Sequence, residues 1–285
     1  MKAFAKYTLL SAVLAVIAAC SGERRPAGEE PALRLYVLDC GKIDVLDISF
    51  FSPGVNERVS RTLANACYLV VHPRGTLLWD TGLPDALADV TEADTVLGNF
   101  VMHVDHPLAA QLTEIGHAPE TIQYLGLSHM HFDHVGNVDL LPQATLLIQQ
   151  EEYDAAFGPE AARYLFDPSG YSTLRKNPVE VLRGEHDVFG DGSVIIRRAP
   201  GHTPGHQALF VHLARSGGVL LSGDLVHFSE NFEHKRVPGS NFDHAQSLAT
   251  MQETEAFLAA TGTRLWIQHD PVQWGMLLHA PSYYE

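Results

Sequence analysis

The chain has 285 residues, 46% of them hydrophobic, enough to bury the core of one large domain or two small ones. That content excludes a disordered chain, except at the start. With 34 acidic against 19 basic side chains the formal net charge is -15, which excludes nucleic acid as a partner and disfavours highly anionic substrates unless cations in a pocket reverse the local sign.

Residues 1–19 place Lys2 and Lys6 ahead of a short apolar run, Thr8 to Ala19. The run is too short to span a membrane comfortably and has the size of a secretory signal. It ends Ile17-Ala18-Ala19-Cys20-Ser21, which resembles a bacterial lipoprotein signal, where cleavage precedes a cysteine that takes the lipid. The expectation is an exported, periplasmic protein held to the membrane by a lipid on Cys20. An ordinary signal peptide cut near Ala19 is the alternative. Residues 20–32 are polar, rich in Pro and Gly and without periodicity, and read as a tether. The globular domain then occupies 33–285.

Leu33 to Leu38 alternates and opens that domain as a strand. Ala66 to His72 and Thr76 to Trp79 form a hairpin around the turn signal Pro73-Arg74-Gly75. Cys40 and Cys67 lie at strand edges. Export would allow a disulfide between them, and burial as small hydrophobes is equally consistent. The hairpin ends in Asp80-Thr81-Gly82, where the carboxylate either caps the turn or supports a site. Residues 83–106 are apolar without a clean period, a pattern that lines a pocket or packs on a partner subunit, so a homodimer is one expectation. His103 and His106 read as surface or packing histidines. Pro107 to His117 predicts a short helix.

Thr121 to Leu127 reads as a buried strand, and it runs into Ser128-His129-Met130-His131-Phe132-Asp133-His134, the pattern H-x-H-x-D-H. On a strand-end loop alternate residues point the same way, so His129 and His131 reach one point together. Asp133 and His134 lie one step further on and serve a second. Imidazole nitrogen with carboxylate oxygen suits a divalent ion such as zinc. Beyond it, Ala144 to Gln149 is another strand. Residues 151–190 show no recognisable chemistry. Val194 to Arg198 is a strand whose turn, rich in Gly and Pro, presents His202, with His206 as packing or a supporting partner. Ala208 to Leu213 is the next strand. Gly218 to Asp224 repeats the strand-then-carboxylate pattern. Asn241 to Gly262 is the clearest helix, with Asp243 as cap and Ala245, Leu248, Met251 and Leu258 as its apolar stripe. Arg264 to Pro271 is a last strand-like run that delivers His269.

The series H-x-H-x-D-H, His202, Asp224 and His269, over nearly all of residues 33–285, resembles the metallo-β-lactamase superfamily. The resemblance implies an α/β fold, an αβ/βα sandwich of two mixed β-sheets with outer helices. It implies two divalent ions, zinc by ligand type. One would be held by His129, His131 and His202, the other by Asp133, His134 and His269, with Asp224 bridging. Two such ions share a water and lower its pKa toward neutrality, so no serine or cysteine nucleophile is required, and no G-x-S-x-G elbow is present in the sequence.

Within the superfamily, Leu38-Asp39-Cys40-Gly41, Asp80-Thr81-Gly82, Ser128 to His134 and Trp266 to Pro271 are most similar to the N-acyl homoserine lactonase group. That implies a small-molecule lactone or ester substrate and hydrolysis of the ring ester. Many members place a tyrosine three residues after the bridging aspartate, and here that position is His227. Its imidazole can also donate to the substrate, or it can merely pack. Asp133 and His227 are the candidate catalytic side chains. The alternatives are hydrolysis of another ester, a phosphotriester or a β-lactam on the same fold, or a zinc-binding lipoprotein without catalysis. Asp224 argues against the β-lactamase, which generally lacks that bridge.

Overall fold

The computed structural model describes residues 32–90 and 95–285. The expected signal segment, Cys20 and the tether up to residue 31 lie outside the described residues.

Thirteen strands among the described residues form two sheets. The first contains β1 (Arg34–Val45), β2 (Arg61–His72), β3 (Gly75–Trp79), β4 (Thr95–Val96), β5 (Phe100–His103), β6 (Tyr124–Gly126), β7 (Thr145–Gln149) and β8 (Val179–Leu182). Their order is β4-β5-β1-β2-β3-β6-β7-β8. The second contains β9 (His186–Asp187), β10 (Val194–Arg198), β11 (Gln207–Leu213), β12 (Gly217–Leu221) and β13 (Arg264–Trp266), in the order β13-β12-β11-β10-β9. Both sheets are mixed. The pairs β3–β6, β6–β7 and β7–β8 are parallel in the first, as is β12–β13 in the second. The remaining strand pairs are antiparallel. This is the expected sandwich.

The alternation read in the first strand separates the layers. Leu35 and Val37 point between the sheets, where Val70, Trp79, Leu209, Val219 and Trp266 meet them. Tyr36 and Leu38 point outward to the helical layer that covers the first sheet, with Leu108 and Leu112 of α1 (Leu108–Glu114). The helices in chain order are α1, α2 (Phe132–Val135), α3 (Gln150–Phe157), α4 (Ser229–Glu233), α5 (His244–Thr261) and α6 (Pro271–Trp274). α5 covers the second sheet, with Met251 against Ala208 and Leu220.

Three expectations change. The strand expected over 121–127 shortens to Tyr124–Gly126, because Pro119–Thr121 forms a turn of 3-10 helix. The first strand extends seven residues past Leu38, through a register shift between Asp39 and Lys42. α5 keeps its Asp243 cap, whose carboxylate accepts from Gln246 N, and its Gly262 stop. Leu248, Met251 and Leu258 of the expected stripe pack on the core beneath, but Ala245 is exposed, and beside Met251 the fully buried residues are Ser247, Thr250 and Thr254. Hydroxyls stand on that face because their hydrogen bonds are made there. Thr250 Oγ1 donates to Pro200 O at 2.6 Å and Ser247 Oγ to Asp243 O at 2.8 Å, so burial leaves them satisfied.

Cys40 and Cys67 form a disulfide between β1 and β2, with Cα atoms 5.7 Å apart. Sequence separation left that pairing open, and the register of the two strands decides it.

Candidate metal centre

β3, β6, β10, β12 and β13 all end on one rim, and each is followed by a polar residue of the expected series. After β6, alternation governs. Met130 is fully buried in the outer layer of the first sheet, so His129 and His131 on either side turn away from it to a common point. The chain then enters α2, a single turn, which delivers Asp133 and His134 next to each other to a neighbouring point.

Three ring nitrogens converge first. His131 Nδ1 lies 2.8 Å from His129 Nε2 and 3.0 Å from His202 Nε2. Asp224 Oδ2 lies 3.3 Å from His202 Nε2 and 3.8 Å from His129 Nε2. In the second group, His269 Nε2 is 3.4 Å from His134 Nε2, and the Asp133 oxygens are 3.8 Å from His134 Nε2 and 3.7 Å from His269 Nε2. Asp224 Oδ1 faces this group, at 3.2 Å from His134 Nε2 and 3.0 Å from His269 Nε2. One carboxylate thus gives one oxygen to each group. Four ligands at about 2.05 Å around a tetrahedral zinc stand about 3.3 Å apart, the middle of these separations.

The outer nitrogens decide the protonation. His131 Nε2 donates to Tyr164 O, His202 Nδ1 to Asn241 Oδ1, His269 Nδ1 to Ala64 O and His134 Nδ1 to Asp80 Oδ2, all at 2.8–3.0 Å. His129 Nδ1 meets Ser128 Oγ at 3.0 Å. Where the partner is a carbonyl or carboxylate oxygen, at His131, His202, His269 and His134, the outer nitrogen therefore carries the proton, and the inner one would offer its lone pair to a cation. The donor set fits two divalent cations.

Burial drives the His129 and His202 imidazoles well below the usual histidine value. At His134 burial pulls the same way, but Asp224, Asp133 and Asp80 outweigh it and hold the ring well above that value. Each carboxylate within about 4 Å contributes roughly 4 kcal/mol at an effective dielectric near 20, so three of them prevail over desolvation. Burial pushes Asp224 up, yet His269, His227 and His134 pull its carboxyl well below the usual range. The site is rich in negative charge, and a bound cation would supply the counter-charge that the ion-free chain draws from protons.

Asp80 supports the site as well as turning the chain. It adopts a left-handed backbone, φ +59°, which aspartate tolerates better than most residues. Oδ2 accepts from His134 Nδ1 and from Gln268 Nε2, and Oδ1 accepts from Ser128 N at 2.6 Å. The next turn needs Gly82, at φ +64°, because a Cβ there would fall 2.3 Å from Cys40 Cβ. His206 is a supporting residue. It donates from Nδ1 to Ala199 O and accepts from Asp224 N, both at 2.9 Å, which fixes the bridging residue's backbone. His103 and His106 stand outside the centre, paired with Asp44 and Asp39 at the surface.

His227 belongs to the site. Its Nε2 lies 3.0 Å from Asp224 Oδ2, its ring packs 4.1 Å from Phe51, and Nδ1 is buried without a partner. Above it opens a cleft floored by the two groups and walled by Phe50, Phe51, Leu63, Phe100, Phe132 and Leu165. The segment 151–190 is not chemically empty. Tyr164 O orients His131, Leu165 lines the cleft, and the buried Glu152 binds both ligand loops. Nothing local distinguishes Glu152, since exposed Glu151 is its twin in sequence.

Residues 61–261 match the family described as the metallo-beta-lactamase superfamily. N-acyl homoserine lactonase AttM of Azorhizobium caulinodans is 30% identical over 269 residues, which cover 89% of this chain and 99% of the relative. N-acyl homoserine lactonase AiiA of Bacillus thuringiensis subsp. kurstaki is 28% identical, over 83% of this chain and 93% of that one. A solved N-acyl homoserine lactone hydrolase, with the product N-hexanoyl-L-homoserine bound at its catalytic metal centre, matches with a TM-score of 0.77 at 26% identity, over 88% and 99% of the two chains. The chain belongs to the metallo-beta-lactamase superfamily, and within it to the group that contains the N-acyl homoserine lactonases, which makes it a metal-dependent hydrolase.

Proposed function

We propose that the protein opens the lactone ring of N-acyl homoserine lactone-like substrates at a centre of two zinc ions. The observation that carries this reading is the division of Asp224, one oxygen toward each imidazole group, at the floor of an apolar cleft. His129, His131 and His202 would hold one ion, Asp133, His134 and His269 the other, with Asp224 between them. When bound, the ions supply Lewis acidity, which makes water nucleophilic near neutral pH and polarises an ester carbonyl.

The protein's own side chains do the rest. The aromatic and aliphatic wall takes the acyl chain and excludes water, which strengthens every polar contact on the floor. Asp224 accepts from His227 Nε2 and orients the ring, which donates from Nδ1 to the substrate oxygen when it carries a proton on each nitrogen. Asp133, which lines the cleft from α2, takes the proton released as water's oxygen bonds the acyl carbon and passes it to the ring oxygen as the acyl C–O bond breaks, giving the hydroxy acid.

A series of N-acyl homoserine lactones of graded chain length, with matched open esters, a β-lactam and a phosphotriester, tests the assignment with and without chelator. Lactone opening should dominate and vanish on chelation. Turnover of the β-lactam alone, or of nothing by the fully zinc-loaded protein, would replace this reading with a lactamase or a zinc-binding protein.

The protein is further proposed to be exported and lipid-anchored at Cys20. The Cys40–Cys67 disulfide supports an oxidising compartment.

A further inference from the structure

Glu152 is fully buried at the start of α3 and does not line the cleft. Its Oε1 accepts from Met130 N at 3.0 Å. Its Oε2 accepts from Thr203 Oγ1 at 2.8 Å and from Gly205 N at 2.9 Å. Met130 stands between His129 and His131, and Thr203 directly follows His202. One carboxylate therefore ties together the two loops that carry all three imidazoles of the first group, and touches none of the imidazoles.

The closeness is built in. Gly205 lies so near that a Cβ there would fall 2.2 Å from Glu152 N. A buried carboxylate is costly to keep, and burial pushes this one up to about 7. The three donors it satisfies are the reason it can be retained. The second group is held by other residues. Asn65 Nδ2 donates to Asp133 O, Asp80 accepts from His134, and Ala64 O accepts from His269.

We propose that Glu152 is a positioning residue for the first metal site alone: it sets the separation of the His129–His131 loop from His202, and its loss weakens one of the two ions and spares the other. This rests on the two-ion reading above. Glutamine cannot replace it, because in either orientation its amide sets an NH2 against a backbone N–H, that of Gly205 or that of Met130, and leaves it without an acceptor. Glu152→Gln keeps the volume and removes one acceptor.

The test compares the full chain with Glu152→Gln, both stripped and reloaded with zinc chloride. Zinc per chain is measured by plasma emission, stepwise affinity by competition with a chromophoric chelator, and the unfolding midpoint on the metal-free proteins. The parent should hold two zinc ions. The variant should hold one at parental affinity and the other about tenfold or more weaker, with the midpoint of the metal-free protein little changed. Two zinc ions at parental affinity in the variant would overturn the proposal. So would equal weakening of both ions in step with a fallen midpoint, since that marks a general structural role. A parent that binds no zinc would overturn the two-ion reading itself. Should Glu152→Gln fail to fold, Thr203→Val, which removes one of the three contacts, gives the same decision: selective weakening sustains the proposal, and unchanged binding overturns it.

Discussion

His227 shows how much one ring can carry. Its Nε2 is held by Asp224, the residue that also faces both imidazole groups, and its other nitrogen is buried without a partner. A buried polar atom left unpaired costs about 1–3 kcal/mol, a cost that substrate can relieve by bonding there. Phe51 and His269 flank the ring at centroid distances of 4.1 and 5.8 Å and fix its plane. His227→Phe should lower kcat by about 100-fold, the low end for a lost proton donor, with zinc content unchanged. Steady-state kinetics and metal analysis on one preparation read both, and parental kcat in the variant would reduce His227 to packing.

At the scale of elements, the β1–β2 pair is the frame of the second cluster, Asp133, His134 and His269. β2 supplies Ala64 O to His269 and Asn65 to Asp133 O within three residues of Cys67. β1 changes register next to Cys40, where ladder bonds alone hold the pair least firmly. The disulfide closes 27 residues at that point. Cross-links of that span stabilise by about 3–4 kcal/mol in the chain-entropy account. Reduction should therefore lower the unfolding midpoint by several degrees and loosen zinc at the second group. Calorimetry with and without a phosphine reductant checks it, with Cys40→Ala/Cys67→Ala as the comparison. An unchanged midpoint on full reduction would show that strand pairing suffices without the bond.

For the whole molecule, charge and anchor bear on supply of substrate. A net charge of -15 keeps the protein from binding anionic surfaces by charge, so residence at a membrane would rest on the lipid at Cys20. A single acyl chain binds a membrane only marginally, so firm residence would need more than one chain on Cys20. Cys20→Ser should move the protein from the membrane to the soluble fraction of the periplasm without changing turnover of a short-chain lactone. Fractionation with metabolic fatty-acid labelling measures this, and a parent chain that takes no label and stays soluble would leave an ordinary signal peptide.

From local rules the sequence by itself determined the strands, the polar residue at the end of each apolar run, and the split of His129 and His131 from Asp133 and His134: alternation in a strand and the chain's next step after it suffice. The sandwich and the allotment of His202, Asp224 and His269 to two groups came with the resemblance to a family. Only tertiary structure decided the rest. The Cys40–Cys67 pairing needed the β1–β2 register. Burial of the Thr250 hydroxyl on α5 needed Pro200 O, 50 residues away in the chain. Glu152 needed two loops, some 20 residues before it and 50 after, to close around one carboxylate. Each is a contact between distant segments, and its energy depends on where the partner stands, a fact that no spacing within a single segment encodes.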